Sequence, residues 1–214
     1  MLTNALFFII PALISLTIHE LAHGYTAYRL GDPTAKNLGR LTLNPLKHID
    51  IIGLVMILLV RFGWAKPVPV DMRNFKKPKQ YMAITALAGP VSNFILAVVM
   101  LFIYGLLYTA LGGYHATGGQ YVTLTIIQYT ATISIFLGFF NLMPIPPLDG
   151  SKVIFSLLPN NAYNILMRYE RYGFILLLIV VWTGFFWRMF GAPISAVISW
   201  LNRVVVMAAF NLVN

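Results

Sequence analysis

Two histidines and a glutamate, His19, Glu20 and His23, stand in the run LTIHELAHGYTAY from Leu16 to Tyr28. Residues four apart on a helix lie one turn apart on the same face, so the two imidazoles can approach one metal ion together. Glu20 is beside that pair, and a carboxylate there can take a proton from water that a metal has activated. This is what a metal-dependent hydrolase needs. The pattern is short and recurs by chance, so its surroundings carry much of the argument. Residues 1 to 18 contain no charged side chain, and the stretch reads as the start of a membrane span. Ionisable groups at the deep end of an apolar helix are costly to keep there, which makes them functional candidates. The plainer alternative is that they only mark where the helix leaves the membrane.

The elements that must position these residues are membrane helices. The chain is 59% hydrophobic and 10% charged, with a mean hydropathy of +0.78, whereas about a quarter of a soluble domain is charged. Its 214 residues leave room for about four to six crossings in a single integral membrane domain, 1–214, so the expected fold class is an all-α polytopic membrane protein. The chain has no cysteine, which removes thiolate ligands and leaves His, Asp, Glu, Asn or water for a metal. The start lacks the basic residues and small-residue cleavage site of a removable signal, and is read as mature structure.

The first span is expected from Leu2 to Leu30, with Pro11 inside it, and Gly31-Asp32-Pro33 stops it. Ile51 to Val60 is a ten-residue apolar run. As a helix it reaches only ~15 Å against a hydrocarbon core of ~30 Å. With Pro67 and Pro69 forcing extension after it, 51–70 is expected to be re-entrant or interfacial, with a short extended or β portion. Further spans are expected at Tyr81–Leu111, Tyr121–Met143 and Tyr172–Phe190. Gly191-Ala192-Pro193 should separate the last of these from Ile194–Val213, which either spans or lies in the interface.

The net charge of +9 is spread over particular loops and not along a stripe, which argues for membrane orientation and against a nucleic-acid partner. Ten lysines and arginines fall between Arg29 and Lys79, none between Gly112 and Gln120, and three between Lys152 and Arg171. The positive-inside rule places the first and third regions in the cytoplasm. His19, His23 and Asp149 then all approach from the cytoplasmic half of the membrane.

Catalytic zinc sites use three protein ligands plus water, so two imidazoles leave one ligand wanting. The available carboxylates are Glu20, Asp32, Asp50, Asp71, Asp149 and Glu170. Asp149 ends an apolar span on the same side as the histidines, in a proline run that breaks the helix. Leu148-Asp149-Gly150 is also ordinary turn chemistry; the unfilled ligand position tips the reading toward the metal.

His19-Glu20-Leu21-Ala22-His23 pairs with Asn141-x-x-Pro144-x-x-x-x-Asp149-Gly150. Between them come Asn44-Pro45-Leu46-Lys47-His48-Ile49-Asp50, Gly63-Trp64-Ala65-Lys66-Pro67-Val68-Pro69-Val70 and Gly89-Pro90-Val91-Ser92-Asn93. In this order, over roughly residues 15 to 155, the motifs resemble the site-2 protease family of intramembrane zinc metalloproteases. The resemblance implies a three-helix catalytic core in the bilayer, zinc held by His19, His23 and Asp149, and Glu20 as general base. It also implies cleavage of a substrate's transmembrane helix near the cytoplasmic face, as in regulated intramembrane proteolysis. Ile51 departs from the proline that many relatives carry there, and no PDZ or CBS module is expected.

A helical substrate must unwind before attack, and Trp64–Val70 offers an edge for strand addition. Asn93 or Asn141 can donate to the substrate carbonyl, or else join helices. His48 and His115 read as solvated loop residues, and the four tryptophans as interface anchors. Arg73, Lys76, Lys77 and Lys79 read as a surface facing anionic lipid. Expected partners are transmembrane protein substrates and the bilayer, with room for a homo-oligomer. The competing function is a metal or proton transporter using the same three residues. It is disfavoured by the absence of a second copy of the motif.

Overall fold

Lipid gives backbone polar groups no partner except their own helix, so the long apolar runs of this chain become helices. The computed structural model of the chain describes residues 2–60, 63–111 and 116–213, with backbone alone at 2–6, 54, 57–60, 171 and 213. Arg61 and His115, both expected in connections, lie outside the described residues. In chain order the helices are α1 (Leu2–Arg29), α2 (Thr34–Asn37), α3 (Ile51–Val60), α4 (Pro78–Ala110), α5 (Gly119–Asn141), α6 (Asp149–Ser156), α7 (Asn160–Trp182), α8 (Phe185–Leu201) and α9 (Met207–Val213). Asn202–Val206 joins the last two as a π-helical turn. Among the described residues, four stretches are long and apolar enough to cross a membrane: Phe7–Arg29, Pro78–Ala110, Gly119–Asn141 and Phe185–Leu212. The protein is therefore all-α and polytopic.

Two boundaries differ from expectation. The span expected at 172–190 is broken by Gly184, whose φ of +68° is a left-handed conformation that favours glycine. Gly191-Ala192-Pro193 does not separate helices: it lies inside α8, where a membrane helix tolerates proline. The described residues of the segment 51–70 are helix followed by extended chain, with no strand among them. Its first ten residues are α3, whose start is fixed by Asp50 Oδ1 accepting from the Gly53 N–H at 2.8 Å. The extended part that follows makes one isolated antiparallel bridge, Ile49 to Ala65.

The chain divides into two compact units, and α1, α4, α5 and α7 each contribute to both. In the unit made of 1–15, 93–139 and 179–214, small residues let helices approach closely. Ser15 Oγ meets Ser134 Oγ at 2.8 Å, Ala131 and Ser134 are fully buried, and a Cβ on Gly138 would lie 2.8 Å from the Phe94 ring. Phe136 stacks on Trp187 and meets Phe186 edge-on.

The second unit, 16–92 and 140–178, contains the polar connections. There the backbone of Lys66 is held on both sides: its N–H donates to His48 O at 2.9 Å, and its carbonyl accepts from Arg40 Nη2 at 2.8 Å. His48 is not the solvated residue expected of a loop. It is only 3% exposed, because its ring turns inward to Thr42 O at 2.9 Å. Lys79, from the basic cluster, donates to Leu158 O and sits over the Tyr163 ring.

The end of α1 is tied to the 71–74 turn by Asp32, which is fully buried. Its carboxylate accepts from Thr34 N (3.0 Å), Thr34 Oγ1, Asp71 N (2.7 Å) and Asn74 Nδ2 (2.7 Å). Burial alone would raise its pKa, but these donors together hold it below the ordinary value. A depressed folded pKa means stability that is present above the unfolded pKa of about 4 and lost as pH falls through the folded value. Asp32→Asn turns one oxygen into a donor facing donors, which should cost about 1–3 kcal/mol at neutral pH. Thermal unfolding in detergent should show a lowered Tm at pH 7 and a gap to wild type that narrows below about pH 4. A gap independent of pH would mean that the charge of Asp32 contributes nothing.

Candidate metal centre

α1 brings His19 and His23 one turn apart, with ring centroids 4.5 Å apart and planes nearly perpendicular. Asp149, 130 residues after His19, opens α6 and completes the group. The three donor atoms form an almost equilateral triangle: His19 Nε2 to His23 Nε2 is 3.0 Å, and Asp149 Oδ2 is 3.1 Å from each. All three residues are buried.

The local sequence explains how Asp149 turns inward. Pro144, Pro146 and Pro147 prevent α5 from continuing, and the chain doubles back so tightly that a Cβ on Gly150 would lie 2.1 Å from Leu142 O. Only glycine admits that crossing. Leu148, extended at ψ 155°, then feeds Asp149 into the first turn of α6.

α4 forms the wall behind the imidazoles. Thr85 O lies 2.7 Å from His23 Nδ1; a carbonyl can only accept, so Nδ1 carries the hydrogen and the lone pair is on Nε2, facing the triangle. One turn later comes Gly89, where a Cβ would lie 2.4 Å from His23 Nε2 and 2.6 Å from His19 Cε1. The rings therefore lie in a recess that exists because residue 89 lacks a side chain.

Zinc fits this donor set. A tetrahedral ion with bonds of ~2.0–2.1 Å to nitrogen or oxygen has ligand atoms ~3.3 Å apart, close to the spacing of 3.0 to 3.1 Å found here. Two nitrogens and a carboxylate oxygen turned toward one another need a cation, or a shared proton, between them. Two imidazoles and a carboxylate, with a fourth position left for water, are the ligand type of catalytic zinc.

The triangle opens on a cavity of about 280 Å³ that is also lined by Glu20, Val68, Asn141 and Lys152. Glu20 Oε2 accepts from the Val68 N–H at 2.7 Å, so the extended segment holds the carboxylate against the site. Val68 comes this near because residue 24 is glycine: a Cβ there would meet Val68 Cγ1 at 2.9 Å. Of the two asparagines singled out from the sequence, Asn141 lines the cavity. Asn93 is fully buried and belongs to the other unit. Thr85 and Lys152 also belong to the site and were not singled out from the sequence. Their only signals there are spacings, Thr85 four before Gly89 and Lys152 three after Asp149.

A membrane-spanning helical protein with a buried His-His-Asp group suited to zinc has the build of a membrane metallopeptidase. The sequence model of peptidase family M50 matches residues 7–125 and 116–184, and the chain belongs to that family, the site-2 proteases. It is 39% identical over 198 residues to YwhC of Bacillus subtilis, covering 91% of this chain and 84% of that one. It is 31% identical over 176 residues to Rip2 of Mycolicibacterium smegmatis, covering 80% of this chain and 64% of the relative, under two thirds of its length. Both are named as candidate zinc metalloproteases. No solved structure gives a significant match.

Proposed function

We propose that this protein is a zinc-dependent intramembrane endopeptidase of the HExxH type, cutting transmembrane segments of substrate proteins near the cytoplasmic side. The observation that carries the reading is the donor triangle of His19, His23 and Asp149 opening on the same cavity as Glu20. The charge distribution over the loops supports the cytoplasmic orientation.

Zinc, when bound, supplies the Lewis acidity that brings the pKa of water to about 7. The rest is done by this chain's own groups. Glu20 accepts the proton of the attacking water and hands it to the departing amine nitrogen. The Val68 N–H holds Oε2, and Oε1 is the oxygen that takes the proton. Thr85 keeps the proton of His23 on Nδ1 through both steps. Asn141 donates to the scissile carbonyl from the cavity wall.

The extended segment is a more selective platform than a free strand. The Lys66 N–H, the Lys66 carbonyl and the Val68 N–H are all engaged within the chain. In an extended chain, alternate residues face opposite edges. The other edge therefore presents Pro67 and Pro69, which have carbonyls but no N–H. An unwound substrate pairs there by donating its own N–H groups.

Purified protein should hold one zinc per chain, and combining His19→Ala with Asp149→Ala should abolish binding. Metal analysis of the wild type and the double variant, with cleavage of a membrane substrate measured alongside, tests the reading. Unchanged zinc in the double variant would remove these residues from the site. Metal uptake into proteoliposomes without proteolysis would replace the enzyme with a transporter.

A further inference from the structure

One face of α5 is out of keeping with a helix in lipid. Tyr121, Thr125, Gln128, Tyr129 and Thr132 recur at helical spacing on it and, with Phe7 of α1, line an open groove of about 490 Å³. Tyr121 and Tyr129 are 58% and 47% exposed, and Gln128 is exposed as well. Gln128 lies nine residues into a helix of 23, ~14 Å from one end and ~20 Å from the other at 1.5 Å per residue. That is well inside a hydrocarbon core of ~30 Å. Its carboxamide forms no hydrogen bond among the described residues. The two threonines are different: Thr125 Oγ1 donates to Tyr121 O at 2.7 Å and Thr132 Oγ1 to Gln128 O at 3.0 Å, so each satisfies its hydroxyl on its own helix.

We propose that this face of α5 is a homodimer interface, in which Gln128 pairs with Gln128 of a second copy about a twofold axis normal to the membrane. Two copies inserted with the same topology can be related only by an axis in that direction, so each α5 residue meets its own counterpart at the same depth. A residue facing itself there must be self-complementary. A carboxamide is, since it offers both N–H and C=O and two of them form reciprocal bonds. A lipid tail offers neither. Thr125 and Thr132 flank Gln128 about one turn away on either side, small and with their hydroxyls engaged, which permits close backbone approach. The tyrosine rings then fill the partner's groove beside Phe7.

The absence of cysteine makes the test direct. Single substitutions Thr125→Cys, Gln128→Cys and Thr132→Cys, oxidised in native membranes, should each yield a disulfide-linked pair of this chain. Thr123→Cys, on the opposite face of α5, should not. In detergent the wild type should have the mass of two chains. Gln128→Leu should weaken that association roughly 3- to 30-fold, the range for one interhelical polar contact in a membrane, and Gln128→Asn should retain it. The proposal is overturned by equal cross-linking at 123 and 128, by a wild-type monomer in both settings, by a dimer indifferent to Gln128→Leu, or by a cysteine at 128 that cross-links only to a different membrane protein.

Discussion

Glu20→Gln should lower cleavage of a membrane substrate by roughly 10²- to 10⁴-fold, the contribution of a positioned general base, and leave the zinc content unchanged. The amide oxygen can still accept from the Val68 N–H that now meets Oε2 at 2.7 Å, so the extended segment stays in place. Glutamine nearly matches glutamate in volume, and Glu20 is not one of the three donors of the triangle. What the variant cannot do is take up a proton. Cleavage, zinc content and thermal stability measured on one preparation separate this from a collapsed site. Cleavage retained at the wild-type rate would falsify the assignment of Glu20 as base, and loss of zinc would show that the carboxylate holds the site together.

Gly89→Ala should remove zinc without touching a donor. By helix propensity alone the change is favourable by about 1 kcal/mol, since glycine is a poor helix former. Packing opposes it: the new Cβ would sit 2.4 Å from His23 Nε2 and 2.6 Å from His19 Cε1. Either the imidazoles swing out of the triangle or α4 moves away from α1. Zinc affinity should fall roughly 100-fold or more, beyond what losing an outer hydrogen bond costs, and overpacking should lower stability by about 1–3 kcal/mol. Measuring both in one variant sets propensity against packing. A raised Tm with undiminished zinc would mean that α4 does not press on the histidines.

Several features were legible in the residues alone because their causes are local. The pairing of His19 with His23 follows from helical repeat, and membrane helices follow from long uncharged runs with no other way to satisfy their backbone. The inward turn of Asp149 was foreshadowed by the prolines before it and the glycine after it. That 51–60 is too short to cross as a helix and is followed by extended chain was legible too, but an unbroken apolar run of ten has no periodicity to mark where its helix begins; the cap at Asp50 supplies that start. His48 was misread for a related reason. Burial of a loop side chain depends on which carbonyl the loop brings to it, here Thr42 O.

From the order of residues alone come the histidine pair one turn apart, the carboxylate beside it, most of the membrane spans and the family. Those depend on a helix's own geometry and on the exclusion of water by lipid, which act over a few residues at a time. Folding settled the remainder: Asp149 closing to 3.1 Å on histidines more than a hundred residues away, Thr85 orienting one ring, Gly89 making room for both, and Val68 reaching Glu20 over Gly24. These contacts depend on how close two separate stretches of backbone come. That distance is set by packed side chains on both partners and is not written in either segment.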